Sequence, residues 1–462
     1  MKKGSISIFA LLVMILVVSV LFALLEGTRY QETKRLCNWQ TLIALESAFA
    51  KYDLELWEKY GLLGCNINSL EEAIVQKTNI KASSSLRGIQ LCGFESENVS
   101  LESYTLMTDG AGAVYTQAVS QTMQRTIGYG LAKEIFNQYE AIRYLEKESM
   151  WSASWLSDGL KQELEEESIA YNPMKDVKFM KETGILELVV EDCEALSNAI
   201  VNKASLVSGR RLMQGKTAVV QENDWLDKVL LQQYLLENMN YYGKGETKTG
   251  LQYQVEYLIG KTDSDIENLK VVASKLLLLR EMINFLYLTT NAVKMEEASL
   301  LALALAGASV NPLVVEVVKM GIVAAWSFGE SILDVRALLQ GKRIPLLKSD
   351  NTWTLELSQI GMISEGYLSA KEVKEGLGYL DYLGVLLLFE QENQLSMCAM
   401  DMQEIEICSQ KGHCDFRMDE VVVQADVTVE YSATPIFLTY FQLDGIIPNV
   451  YEFKTQQSYG YY

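Results

Sequence analysis

The chain reads as an α+β protein, mainly helical, with a long N-terminal membrane and stalk helix, a small antiparallel sheet late in the chain and a large helical insertion. Three observations predict this. An uncharged run from Ser5 to Leu25 continues into an amphipathic tract with no proline before Tyr60. Apolar residues at helical spacing fill most of the middle of the chain. Near the end, Val423, Ala425, Val427, Val429 and Tyr431 alternate with Gln424, Asp426, Thr428 and Glu430, the period-two pattern of a half-buried strand.

The 21 residues from Ser5 to Leu25 carry no charge and would span about 31 Å as a helix, enough to cross a bilayer core. Ile6, Phe9, Leu16 and Leu25 belong to this lipid-facing run. Its end, Phe22-Ala23-Leu24-Leu25-Glu26, lacks the small-x-small site of a cleaved signal peptide, so an anchor is the better reading. Beyond Glu26, the residues Leu36, Trp39, Leu42, Ile43, Leu45, Phe49, Leu54 and Trp57 recur at helical spacing. The expectation is one helix over residues 1–60, half in lipid and half in water, with lipid as its first partner. Lys2 and Lys3 on one flank nearly balance Arg29, Lys34 and Arg35 on the other, so counting positive charges favours the large part of the chain outside by only a small margin.

Residues 61–170 form the first part of the ectodomain, with a helix at 69–77, a bulged strand or pair of strands near 94–107 and helices over 113–145. The acidic cluster Glu163–Glu167 ahead of Asn172-Pro173 marks a solvated boundary. Residues 171–405 read as helical with breaks at Gly184 and around 209–215. One strand interrupts them at 251–259, where Leu251, Tyr253, Val255, Tyr257 and Ile259 alternate with Gln252, Gln254 and Glu256. Asp263-Ser264-Asp265 offers caps for a helix over 266–292. The apolar tract Ala298–Leu338 is broken by Asn311-Pro312 and holds Glu316 and Lys319, so it predicts two buried helices and not a second membrane span. A loop at 341–354 and helices at 370–377 and 380–402 follow. Residues 406–462 give a β hairpin, 421–431 with 436–441, that completes one antiparallel sheet with strands 94–107 and 251–259 against the stalk. The tyrosine-rich tail after Pro448 reads as an edge strand or a loose end.

The net charge of −20 argues against nucleic acid as a partner. A single histidine, His413, removes most hydrolase and metal constellations, and no GxSxG occurs. Gly209–Thr217 places five residues between its glycines where a phosphate loop needs four. Cys398, Cys408, His413 and Cys414 are the metal-like cluster, but adjacent His413 and Cys414 fit one tetrahedral zinc poorly. Cys408 and Cys414 either form a short disulfide, if the domain is extracytoplasmic, or stay thiols. Glu330, Asp334 and Arg336 read as a partly buried ion pair. No catalytic residue, cofactor or metal is expected, and the chain is not read as an enzyme.

Lys2-Lys3, Gly4 and the apolar run Ile6–Leu25 resemble the N-termini of the pseudopilin group, the class-III pilin-like proteins of tight-adherence (Tad) pilus systems. The resemblance implies processing between Gly4 and Ser5, a globular part outside the cell membrane, and pilus or secretion-system proteins as partners. The chain departs from that pattern at Phe9, where such pilins carry a glutamate five residues after the cleavage point. Leu25–Arg29, Leu54–Gly61 and Ala325–Leu338 resemble a family of membrane-anchored proteins of Gram-positive bacteria often encoded with Tad pilus genes, which implies no defined activity. The expectation is a single-pass, extracytoplasmic, structural or assembly component of a Tad-type pilus or secretion apparatus. Its rival is a tethered cell-surface binding or receptor module.

Overall fold

A computed structural model describes residues 2–78, 83–86, 89–127, 171–217, 225–245, 249–306, 312–366, 368–410, 414–441 and 449–462. The acidic cluster at 163–167, the helix expected over 128–145 and His413 lie outside these residues. The chain divides into two compact units, one of residues 1–118, 212–222 and 416–462, the other of 119–211 and 223–415.

The first unit is built on helix α1, Lys2–Phe49. The stalk is shorter than the sequence predicts. It ends at Phe49, and a separate helix α2, Leu54–Tyr60, starts behind Asp53, whose carboxylate accepts the Leu56 N–H. That local cap, with Gly61 in the left-handed conformation at the other end, outweighs continued helical spacing. Strand β1 (Cys65–Asn66) leads into α3 (Ile67–Thr78), and β2 (Ser83–Leu86) pairs with β3 (Ile89–Gly93) in a small separate hairpin. Strand β4, Glu95–Leu106, carries three register shifts against its partner, as the change of parity in its sequence predicts. Helix α4 (Ala113–Ile127) leaves this unit.

The partner of β4 is β5, Val421–Ala433, more than three hundred residues later. The other edge of β5 takes β1 at Val421 and Val422 and, from Gln424 to Ala433, strand β6, Tyr451–Gly460. The expected hairpin mate at 436–441 is not a strand. Leu438–Phe441 is a 3₁₀ turn, because the preceding N–H groups are taken up by the stem, and the tyrosine-rich tail supplies the strand instead. Ala425, Val427, Val429, Tyr431 and Ala433 form the inner face, in one core with Cys37, Leu45, Ala48 and Phe49 of α1 and Leu70, Ala73 and Ile74 of α3.

The second unit is helical. It comprises α5 (Pro173–Glu182), α6 (Ile185–Val189), α7 (Trp225–Asn238), α8 (Gln254–Gly260), α9 (Asp265–Thr290), α10 (Ala292–Leu305), α11 (Pro312–Leu339), α12 (Tyr379–Phe389) and α13 (Glu392–Cys408). The strand predicted at 251–259 is therefore the helix α8. Its alternation misleads because both parities are buried: Gln254 accepts from Asn240 N–H and Glu256 from Tyr242 N–H and the Tyr379 hydroxyl. A polar residue with its own buried partners carries no information about exposure. The helix predicted at 370–377 is also absent. Leu377 bridges Ile344, and Gly376 packs so closely that a Cβ there would lie 2.6 Å from the Ile344 carbonyl. The tract predicted as one helix over 380–402 breaks at Glu390-Gln391 into α12 and α13. The two helices expected on either side of Asn311-Pro312 are α10 and α11, but α10 buries only Ala298, Ala302 and Leu305 where the sequence predicts a buried helix.

Candidate functional site

The stem changes character at Glu26. From Ser7 to Leu25 no residue of α1 is buried, and Phe9, Leu16 and Leu25 are 69%, 63% and 47% exposed. This half is apolar all round and long enough to cross a membrane. From Glu26 onward a single stripe is buried: Glu26, Arg29, Thr33, Cys37, Thr41, Ala44, Leu45, Ala48 and Phe49. Steps of three and four keep these residues on one side of the helix, and the sheet covers them.

The stripe is tied down at three levels. At its foot Glu26 Oε1 lies 2.5 Å from Arg29 Nη1, while Oε2 accepts the N–H groups of Ile436 (3.1 Å) and Phe437 (2.7 Å). Arg29 Nη2 donates to the Thr434 carbonyl at 2.6 Å. The Phe437 ring sits 5.9 Å from Phe22, inside the apolar run. Halfway up, the buried Thr41 hydroxyl meets the Tyr431 hydroxyl at 3.0 Å and Thr455 Oγ1 at 2.7 Å. At the top Phe49 packs between Tyr459 and Tyr461, and the Tyr461 hydroxyl donates to the Phe49 carbonyl. Each large apolar side chain buried along this seam contributes about 1.5–3 kcal/mol.

The helical unit holds a buried charge network. Arg280 on α9 donates from Nε and Nη2 to Asp334 Oδ2 on α11 (3.0 and 2.8 Å), and Asn284 donates to the same oxygen. Lys348 Nζ lies 2.7 Å from Asp334 Oδ1 and 2.6 Å from Glu330 Oε1. Glu330 also accepts the N–H groups of Thr354 and Leu355. The charged side chains are wholly buried, and two cations balance two carboxylates. Burial raises the Asp334 carboxyl, but Arg280 and Lys348 outweigh it and hold the group below its usual range. Burial leaves Glu330 raised, with Lys348 opposing. Every strong donor points at a carboxylate or a carbonyl, so the arrangement fixes α9, α11 and the 345–355 segment. It does not present an acid or a base to a substrate.

Residues 162–433 match a protein family described as a family of unknown function, DUF5702. The match takes in more than half of the sequence. The chain belongs to the DUF5702 family. No curated protein matches the chain, and no solved structure does. The DUF5702 match covers the whole charge network and β5 as far as Ala433. It stops one residue short of the Thr434–Phe437 turn and does not include the stem.

Outside the DUF5702 region, Gly4, Ser5 and Ile6 lie in the first turns of α1. Within it, Cys408 ends α13 and Cys414 is exposed, with no disulfide between them. Among the described residues no group of three or more His, Cys, Asp or Glu is arranged for a metal. Burial pushes the Cys65 and Cys398 thiols up to about 12, which keeps both protonated and inert at neutral pH. Of the expected trio Glu330, Asp334 and Arg336, only the carboxylates enter the network. Arg336 sits one turn away in another direction and donates to the carbonyls of Leu188, Ile363 and Leu368. The sequence reading missed Arg280 and Lys348. The available signals are an arginine directly after the leucines of 276–279 and a lysine after Leu346-Leu347, since a charge at the end of an apolar run needs a partner when buried. The basic turn at 209–217 binds protein: Arg210 pairs with Glu404, and Gly215 N–H donates to Asp109.

Proposed function

We propose that this protein is a membrane-anchored, extracytoplasmic structural or assembly component of a Tad-type pilus or secretion apparatus, pseudopilin-like in its stem. The observation that carries the reading is the division of α1 at Glu26, with an apolar half in which no residue from Ser7 to Leu25 is buried and a half whose single buried stripe is clasped by an antiparallel sheet. A helix with no buried residue over about 29 Å has the length and surface to sit in lipid. Phe9 at the position of the pilin glutamate supports a component that holds its domain at the membrane and does not build a filament. N-terminal sequencing of the mature protein tests this. Cleavage between Gly4 and Ser5 together with co-purifying pilus proteins is the expected result; an intact Met1 with no such partners overturns it. A second reading, a tethered cell-surface binding module, is favoured by the position of the family match, which takes in the helical unit and leaves out the stem. Under that reading the purified full chain retains no pilus component.

A further inference from the structure

We infer that the turn Pro435–Leu438 is a second membrane contact, lying in the lipid headgroup and acyl boundary beside the foot of the stem. This rests on the reading of α1 as a membrane anchor and adds to it that the sheet unit itself touches the bilayer. Phe437 packs on Phe22, which stands three residues, about 4.5 Å of helix, inside the end of the uncharged run. Where Phe22 is at the lipid boundary, Phe437 is there too. The sequence around the turn is uncharged from Tyr431 to Leu443, between Glu430 and Asp444, in a chain with 22% charged residues. Ile436, Phe437 and Leu438 are each only half-buried, so apolar surface remains beside the apolar face of α1.

The hydrogen bonding of the turn fits the same place. Non-helical backbone is tolerated at membrane depth only where its polar groups are satisfied by protein. The N–H groups of Ile436 and Phe437 are donated to Glu26, and the Thr434 carbonyl accepts from Arg29. The first two charges after the span would ordinarily reach for water. Here they are buried, neutralise each other and pair the backbone of an otherwise apolar turn. An aromatic ring and two aliphatic side chains at the headgroup level are what interfacial anchoring uses.

The test is nitroxide depth measurement on the full chain in phosphatidylcholine–phosphatidylglycerol vesicles. The less buried cysteines 92, 193, 408 and 414 are changed to serine, and single labels are placed by Leu438→Cys, Leu16→Cys and Glu58→Cys. At 438 the label is expected to be severalfold more accessible to oxygen than to a water-soluble nickel complex, as at 16, with the reverse at 58. A lipid reading at 16 with a water reading at 438 overturns this inference and leaves the anchor standing. A water reading at 16 overturns both. Thr439→Cys, on an already exposed side chain, repeats the measurement should the label at 438 disturb the turn, and a water reading there counts equally against the inference.

Discussion

Lys348→Met tests whether the buried network behaves as a closed set of charges. The wild-type set is neutral, with Arg280 and Lys348 against Asp334 and Glu330. Removing the lysine ammonium leaves Asp334 with Arg280 but strips Glu330 of the one cation paired with it among the described residues, leaving it the Thr354 and Leu355 N–H groups. Breaking one partner out of a buried pair costs about 3–5 kcal/mol. With a denaturant sensitivity of about 3 kcal/mol/M for a unit of this size, the urea midpoint falls by roughly 1–1.7 M. The probes are built in, because Trp326 and Trp353 both donate their indole N–H to the Leu355 carbonyl, next to the N–H that Glu330 accepts. Tryptophan fluorescence of the intact chain in mild detergent therefore reads the network directly. The loss shrinks on acidification, since without Lys348 the already raised Glu330 carboxyl takes up a proton more readily. Adding Glu330→Gln restores neutrality and recovers most of the loss, a coupling of about 2 kcal/mol in the double-mutant cycle. A midpoint shift under ~0.5 M, or strict additivity of the two substitutions, would refute the argument.

Three further outcomes are expected. Burial pushes the Glu256 carboxyl from 4.5 up to about 7, a difference of about 3 kcal/mol. The folded state thus holds this proton more tightly than the unfolded chain, and the stability it confers below pH 4.5 is lost as pH rises through about 7. Glu256→Gln removes that part of the slope between pH 5 and 8 in urea titrations, and an unchanged slope counts against it. Thr41→Val strands the Tyr431 hydroxyl inside the seam, leaves the Thr455 hydroxyl only the Val429 carbonyl at 3.3 Å and costs about 1–3 kcal/mol; equal thermal midpoints for mutant and wild type would show that the hydroxyl cluster is incidental. Gly376→Ala drives a Cβ against the Ile344 backbone and costs about 1–3 kcal/mol. Gly27→Ala meets nothing within 4 Å in mid-helix and stabilises α1 by about 0.5–1 kcal/mol, so calorimetry that ranks the two the other way contradicts the packing described.

What was legible in the sequence follows the strength of one-sided burial. The strands at 94–107 and 421–431 each have one face in a core and one outside it, α11 has no face outside from Gly321 to Leu338, and the apolar run to Leu25 has none inside. The failures occur where polar side chains are buried with partners. Gln254 and Glu256 imitate the wet face of a strand although both are inside α8. The 436–441 segment has the composition of a strand, but Glu26, four hundred residues earlier, takes its first N–H groups. Such partners are invisible to any local pattern. The same applies to the charge network, whose members Arg280, Glu330, Asp334 and Lys348 are brought together only by the packing of α9, α11 and the segment after it. The stem's foot could be placed from sequence to within a residue, because the first charge after the run is also the first buried residue.

The pairing of β4 with β5 sets a schedule for synthesis. Glu95 meets Ser432 and Leu106 meets Val422, so the sheet cannot close until the whole helical insertion has been made. At about 5–20 residues per second, about 16–65 s separate the emergence of the two strands. Throughout that interval α1 is already complete, with the stripe from Glu26 to Phe49 not yet covered by β5 and β6 and the Glu26 carboxylate without the backbone donors of Ile436 and Phe437. A nascent chain in this state offers a long apolar groove filler with no groove, and β4 an unpaired edge. Any factor that shields the stem during translation acts in this window, and slowing translation across residues 119–415 lengthens it in direct proportion.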